Sequence, residues 1–136
     1  MSRFLAAALL SALALPAAAC PVFREWERPT LFAEADAVVL GRVTGSREIA
    51  VAQATGVLYE IEVEETLRGE ASGTVAVVAW ADVPGSEAPK PIDPSDRVVM
   101  GLDRSAEGFG LVGSICGPLA LMPAAEIGVV REWIAE

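Results

Sequence analysis

The stretch VLYEIEVEETL, Val57–Leu67, decides the fold. Tyr59, Ile61 and Val63 alternate with Glu60, Glu62 and Glu64, and a period of two sends successive side chains to opposite faces of a strand. The expected strand buries the three apolar residues and turns the three glutamates to water. Same-face residues on a strand stand about 7 Å apart, too far for compact carboxylate coordination. No intrinsic metal site and no cofactor is expected from them.

Working outward, AVVLGRVT (Ala37–Thr44) is apolar and β-branched enough for a buried strand, with Gly41 marking a bulge or bend. Ahead of it, PTLFAEAD (Pro29–Asp36) predicts a short helix with Thr30 as its cap and Glu34 in the first turn. Ser46–Gly56 is less patterned and reads as a hairpin loop or an irregular strand end. RGEASG (Arg68–Gly73) is a turn, and TVAVVAWAD (Thr74–Asp82) is a strand apolar on both faces, expected at the centre of the sheet. VPGSEAPKPIDPSD (Val83–Asp96) holds four prolines in fourteen residues. Proline supplies no backbone N–H donor, so this stretch predicts a long exposed loop of the kind that carries binding. RVVMGLD (Arg97–Asp103) and FGLVGSI (Phe109–Ile115) flank the turn RSAEG as a hairpin. PAAEIGVVREWIAE closes with Pro123 at a helix start and Ile127, Val130 and Ile134 at three-and-four spacing, with Val129 and Trp133 beside them. This amphipathic helix is expected to cap one end of a sheet. The sum is a mainly β domain of five principal strands, the size of a small closed or partly open barrel.

The opening residues 1–19, MSRFLAAALLSALALPAAA, carry one positive charge at Arg3, an apolar run from Phe4 to Leu15, then Pro16 and the small-residue site Ala17-x-Ala19. That is the pattern of a secretory signal peptide. The expected mature chain is a single domain, residues 20–136, exported to the periplasm or beyond the cell, with no other stretch apolar and long enough to span a bilayer. All nineteen acidic residues lie after the signal against nine basic ones, leaving ten net negative charges. A phosphate backbone would be repelled, and Trp26, Trp80 and Trp133 are not interleaved with basic residues, so nucleic acid is excluded as a partner. The chain has no histidine, which removes the usual general base and the usual nucleophile's partner. A binding protein is expected rather than an enzyme.

The two cysteines, Cys20 and Cys116, both fall in the exported part. Three fates stay open for Cys20: a disulfide with Cys116, a lipid anchor, or a free amino terminus that does chemistry. An oxidising compartment favours the bridge, which would close nearly the whole domain and contribute about 4 kcal/mol in the chain-entropy view. A lipid signal wants Leu three residues before the cysteine, where this chain has Ala17, and Leu15 is two residues too early.

The leader ending at Cys20, the strands ADAVVLGRV, YEIEVEETLRG and DRVVMGLD, and LVGSICGP before a final helix together resemble bacterial secreted proteins related to the tissue inhibitors of metalloproteinases. The resemblance implies a netrin-like OB barrel with a short N-terminal helix and a C-terminal amphipathic helix, spanning nearly the whole mature chain. It also implies a protein partner, a metalloprotease, whose catalytic zinc is met by the free amine and carbonyl of Cys20, with Cys20, Pro21 and Val22 as the binding edge. An α-amine with a pKa near 7.7–8.0 offers a lone pair at ordinary pH, and a catalytic zinc keeps a position open for it. Val22 stands where that family has its second cysteine, and Pro21 stands where the family directs a side chain into the protease's specificity pocket. Proline there also biases Cys20 towards an extended backbone. The alternative is a lipid-anchored envelope lipoprotein acylated at Cys20, with a structural or interaction role.

Overall fold

The computed structural model describes residues 27–52, 54–80, 92–93, 95–106, 108–113 and 118–135. Cys20, Pro21, Val22, Cys116, Trp26 and most of the proline-rich stretch lie outside the described residues.

Among the described residues six strands form one sheet between two helices: α1 (Glu27–Glu34), β1 (Ala37–Val51), β2 (Ala54–Arg68), β3 (Thr74–Trp80), β4 (Arg97–Ser105), β5 (Gly108–Leu111), β6 (Leu121–Pro123), a single 3-10 turn Ala124–Glu126, and α2 (Ile127–Ala135). Neighbours run β1-β2-β3-β5-β4-β6, and β1 also pairs with β4. The pairing therefore returns to its start, giving a ring of five strands, with β6 pairing Val98–Met100 of β4 on the edge that β5 takes further along. All pairings are antiparallel except β3 with β5.

The alternation in β2 falls as its sequence predicts. Tyr59 and Ile61 are fully buried and Val63 packs against them, while Glu60, Glu62 and Glu64 are exposed. With Val39, Val43, Val77, Ala79, Val98, Met100 and Leu102 they fill the inside of the ring. A second apolar cluster lies on the outside of β1 and β4: Val38, Leu40 and Val99 pack with Phe32 and Ala35 beside α1 and Val130 of α2. Phe32 and Trp133 meet with ring centroids 5.8 Å apart. The C-terminal helix thus covers an outer face of the sheet together with α1, with Val130 buried and Val129 left exposed.

Several local expectations need correction. The first helix starts at Glu27, so Thr30 sits inside it rather than capping it, and Pro29 occupies the first turn, where its missing N–H has no intrahelical partner to lose. The less patterned Ser46–Gly56 is strand: β1 runs on to Val51, turns at Ala52 with a positive φ of 55°, and pairs with β2 down to Val51↔Ala54. Cross-strand pairing holds this hairpin where its own sequence shows no period. Gly41 does mark an irregularity, a register shift between Leu40 and Gly41. Gly69, in the β2–β3 turn, has a φ of 75°, and a Cβ there would lie 2.3 Å from the carbonyl oxygen of Asp36. Both facts require glycine. The far end of the proline-rich stretch is tied down: Ile92 packs against the ring's core, Ser95 N donates to Val43 O at 2.8 Å, and Val43 N donates to Asp96 O at 2.8 Å.

Strand β3 holds the largest surprise. It lies between β2 and β5, as a central strand should, and Val77 and Ala79 point inward. Its other face is not covered among the described residues: Ala76 is exposed, Val78 half-buried, and Trp80 is 42% exposed.

Replacing Ile61 with Ala, inside the ring, should cost about 2–5 kcal/mol in denaturant unfolding. Replacing Glu62 with Ala, on the opposite face, should cost less than about 0.5 kcal/mol. A larger effect at Glu62 would mean that the faces of β2 carry other roles.

Candidate functional site

The sequence-predicted edge, Cys20, Pro21 and Val22, and the proposed bridge partner Cys116 lie outside the described residues. Segments that follow the two cysteines along the chain adjoin each other. Arg28, at the start of α1, donates from Nε to the carbonyl of Leu119 at 3.1 Å.

The acids of β2 divide into two kinds. Glu64 receives Arg97 Nε at 2.9 Å and Nη2 at 2.8 Å on Oε2, and Arg42 Nη2 at 3.4 Å on Oε1. One carboxylate thus joins three strands, because Arg42 is on β1 and its register partner Arg97 is on β4. Hydrogen bonding from Arg97, reinforced by the positive charges of Arg97 and Arg42, holds the Glu64 carboxyl below the ordinary glutamate range, and Glu64 raises Arg97 in turn. Glu65 is bound by Arg131 of α2 at 2.6 Å. Glu60 and Glu62 make no ion pair among the described residues. Burial pushes the phenol of Tyr59, on the inner face of the same strand, above its usual pKa. No group of three or more metal-ligating side chains is present among the described residues.

Beside the free acids lies an apolar surface. Register places Leu58 against Val78, and Val78 against Gly110, across β2, β3 and β5. One step along, Gly56 faces Trp80 and, on its other side, Ile49 of β1. The indole lies across that glycine, with Cε3 only 3.1 Å from where a Cβ would be. In the other direction Glu60 faces Ala76, and Glu62 faces Thr74. Leu58, Ala76, Val78, Trp80, Phe109 and Gly110 line an open groove of about 480 Å³. The glycines keep its floor low, and Trp80 forms a wall.

No protein-family model matches the chain, and no curated protein does.

Sequence reasoning missed this groove although two signals mark it. Leu58 falls in the same period-two phase as Glu60, Glu62 and Glu64, an apolar residue on the wet face. Trp80 is out of phase with the inward Val77 and Ala79. The Arg97–Glu64 contact has no comparable signal, because its partners are 33 residues apart.

Glu64→Gln removes the carboxylate while keeping its size. A folded-state pKa below the unfolded one stabilises the fold above the unfolded value, and the benefit disappears as pH falls through the folded value. Wild type should therefore be more stable than Glu64→Gln at neutral pH, and the gap should close below the ordinary glutamate range. Urea unfolding of both proteins across pH checks this, and a gap independent of pH would contradict it.

Proposed function

We propose that the chain is an exported protein-binding module on a netrin-like, OB-type barrel, making contact through the open face of β2 and β3 and through its N-terminal edge. The observation that carries this reading is the uncovered apolar face of β3. The continuous apolar runs in β1 and β4 are explained by cover on both sides, the ring's interior within and the two helices without. The equal run in β3 has no such cover among the described residues, and an apolar face rimmed by polar groups is how contact surfaces read. The barrel assignment is supported by the ring order, in which β4 returns to β1 as in five-stranded Greek-key barrels. On that fold the faces of the second and third strands are a recurrent binding surface.

Inhibition of a metalloprotease through Cys20 rests on the resemblance alone. In that reading signal peptidase cuts after Ala19, Cys20 pairs with Cys116, and the bridge orders an end that would otherwise fray. The contact between Arg28 and Leu119 supports it, since it joins the segments that lead to the two cysteines. No helix of the described residues is long and apolar enough to cross a membrane.

N-terminal sequencing and intact mass of the exported protein test this reading. The expected result is a chain that begins at unmodified Cys20, with both cysteines protected from alkylation until reduced. If a metalloprotease is inhibited, adding one residue before Cys20 or acetylating its amine should abolish inhibition while leaving the melting temperature nearly unchanged. A diacylglyceryl mass on Cys20 would overturn the free-amine reading in favour of the lipoprotein.

A further inference from the structure

We infer that the open face of β2 and β3 docks a cationic polypeptide segment that carries an apolar anchor beside its Lys or Arg residues. This rests on the reading of the chain as a protein-binding module and names the chemistry of the partner.

Two chemistries meet on one face. Leu58, Val78 and Trp80 form the apolar part, and Glu60 and Glu62 continue the same side of β2 away from it. Successive same-face positions on a strand are about 7 Å apart. An extended segment with an apolar side chain seated on Leu58 and Val78 would bring its next same-face side chains over Glu60 and then Glu62. Both carboxylates are open to that contact: neither is ion-paired among the described residues, whereas Glu64 and Glu65 are already held by arginines. Glu60 Oε2 leans over Gly45 of β1, 3.2 Å from where a Cβ would be, and so lies along the face.

The charge of the whole molecule acts in the same direction. At −9 for the full sequence it attracts cationic chains and repels nucleic acid. A second copy would bring like charge to like, setting Glu60 and Glu62 of each molecule near those of the other. Three local cations oppose the proposed partner: Arg47 of β1 is the register neighbour of Leu58, Arg42 is that of Glu62 although its guanidinium is held by Glu64, and Arg104 lies over the Phe109 ring. Arg47 and Arg104 limit the cationic residues to the Glu60 side of the anchor.

The test is calorimetric titration of the mature chain with three synthetic nine-residue peptides, alternating Lys–Leu, Lys–Ser and Glu–Leu, at low and at physiological salt. The Lys–Leu peptide should bind, Lys–Ser at least tenfold more weakly, and Glu–Leu not measurably. Trp80→Ser, and separately Glu60→Gln with Glu62→Gln, should each weaken Lys–Leu binding at least fivefold. The double glutamate change should also flatten the salt dependence, and Arg47→Ala should tighten binding. All these positions are exposed, and thermal melting verifies that each variant folds. Lys–Leu binding unaffected by both sets of changes would overturn the inference, as diffuse neutralisation of an acidic protein. Glu–Leu binding that depends on Trp80 would overturn the cationic partner and keep the protein-binding face. Binding of no peptide through Trp80, or a dimer that Trp80→Ser dissolves, would overturn the docking segment itself, and the first of these would remove the open-face reading with it.

Discussion

Strand β1 is hydrogen-bonded along both edges from Val38 to Arg42, to β2 on one side and to β4 on the other, and the rest of the structure depends on that double pairing. It turns a sheet into a ring. Once closed, the ring has an inside, and every strand must divide its side chains between that inside and whatever lies beyond. The register shifts at Val38/Val39 and Leu40/Gly41 let β1 bend while it keeps both partners, and a third at Val43/Gly45 falls where it has only β2. Past Arg42 the strand leaves β4 and continues with β2 alone as a long hairpin.

The outside of the ring is treated unequally. Over β1 and β4 the two helices supply Phe32, Val130 and Trp133, and the outward residues Val38, Leu40 and Val99 are buried beneath them. Over β2 the outward residues are mostly glutamates, which need no cover, and two of the four are joined to arginines of neighbouring elements. Over β3 they are Ala76, Val78 and Trp80, which would be buried in an ordinary sheet and here line a groove. A strand whose composition asks for cover and to which the described residues give none is the kind of local conflict expected at a functional surface.

Much of the fold was legible because periods report burial directly. The alternation in Val57–Leu67 assigns the faces of β2, and the spacing of Ile127, Val130 and Ile134 assigns the buried side of α2. The runs AVVL and RVVMGL ask for cover on both faces, which the helices complete. What escaped reading depends on partners distant in sequence. The tail of β1 from Gly45 to Val51 is strand because β2 pairs with it, Thr30 is helical because the helix begins earlier, and Glu64 is a clamp because the ring brings Arg97 beside it. The groove was half legible, in the phase of Leu58 and of Trp80, but the same apolar run reads equally well as a covered central strand. Only the position of the helices decides between these. The predicted N-terminal edge at Cys20 remains a proposal that rests on its resemblance.

The central claim is that one outer face of the ring is covered and the other is open. Solvent paramagnetic relaxation of side-chain signals in the mature chain measures this without a partner. A soluble neutral nitroxide should broaden the Trp80 indole and the methyls of Leu58 and Val78 strongly, and should leave Phe32, Val38, Val99 and Val130 sharp. Protection of Trp80, Leu58 and Val78 equal to that of Val99 and Val130 would contradict the account, because the face of β3 would then be covered from within the chain.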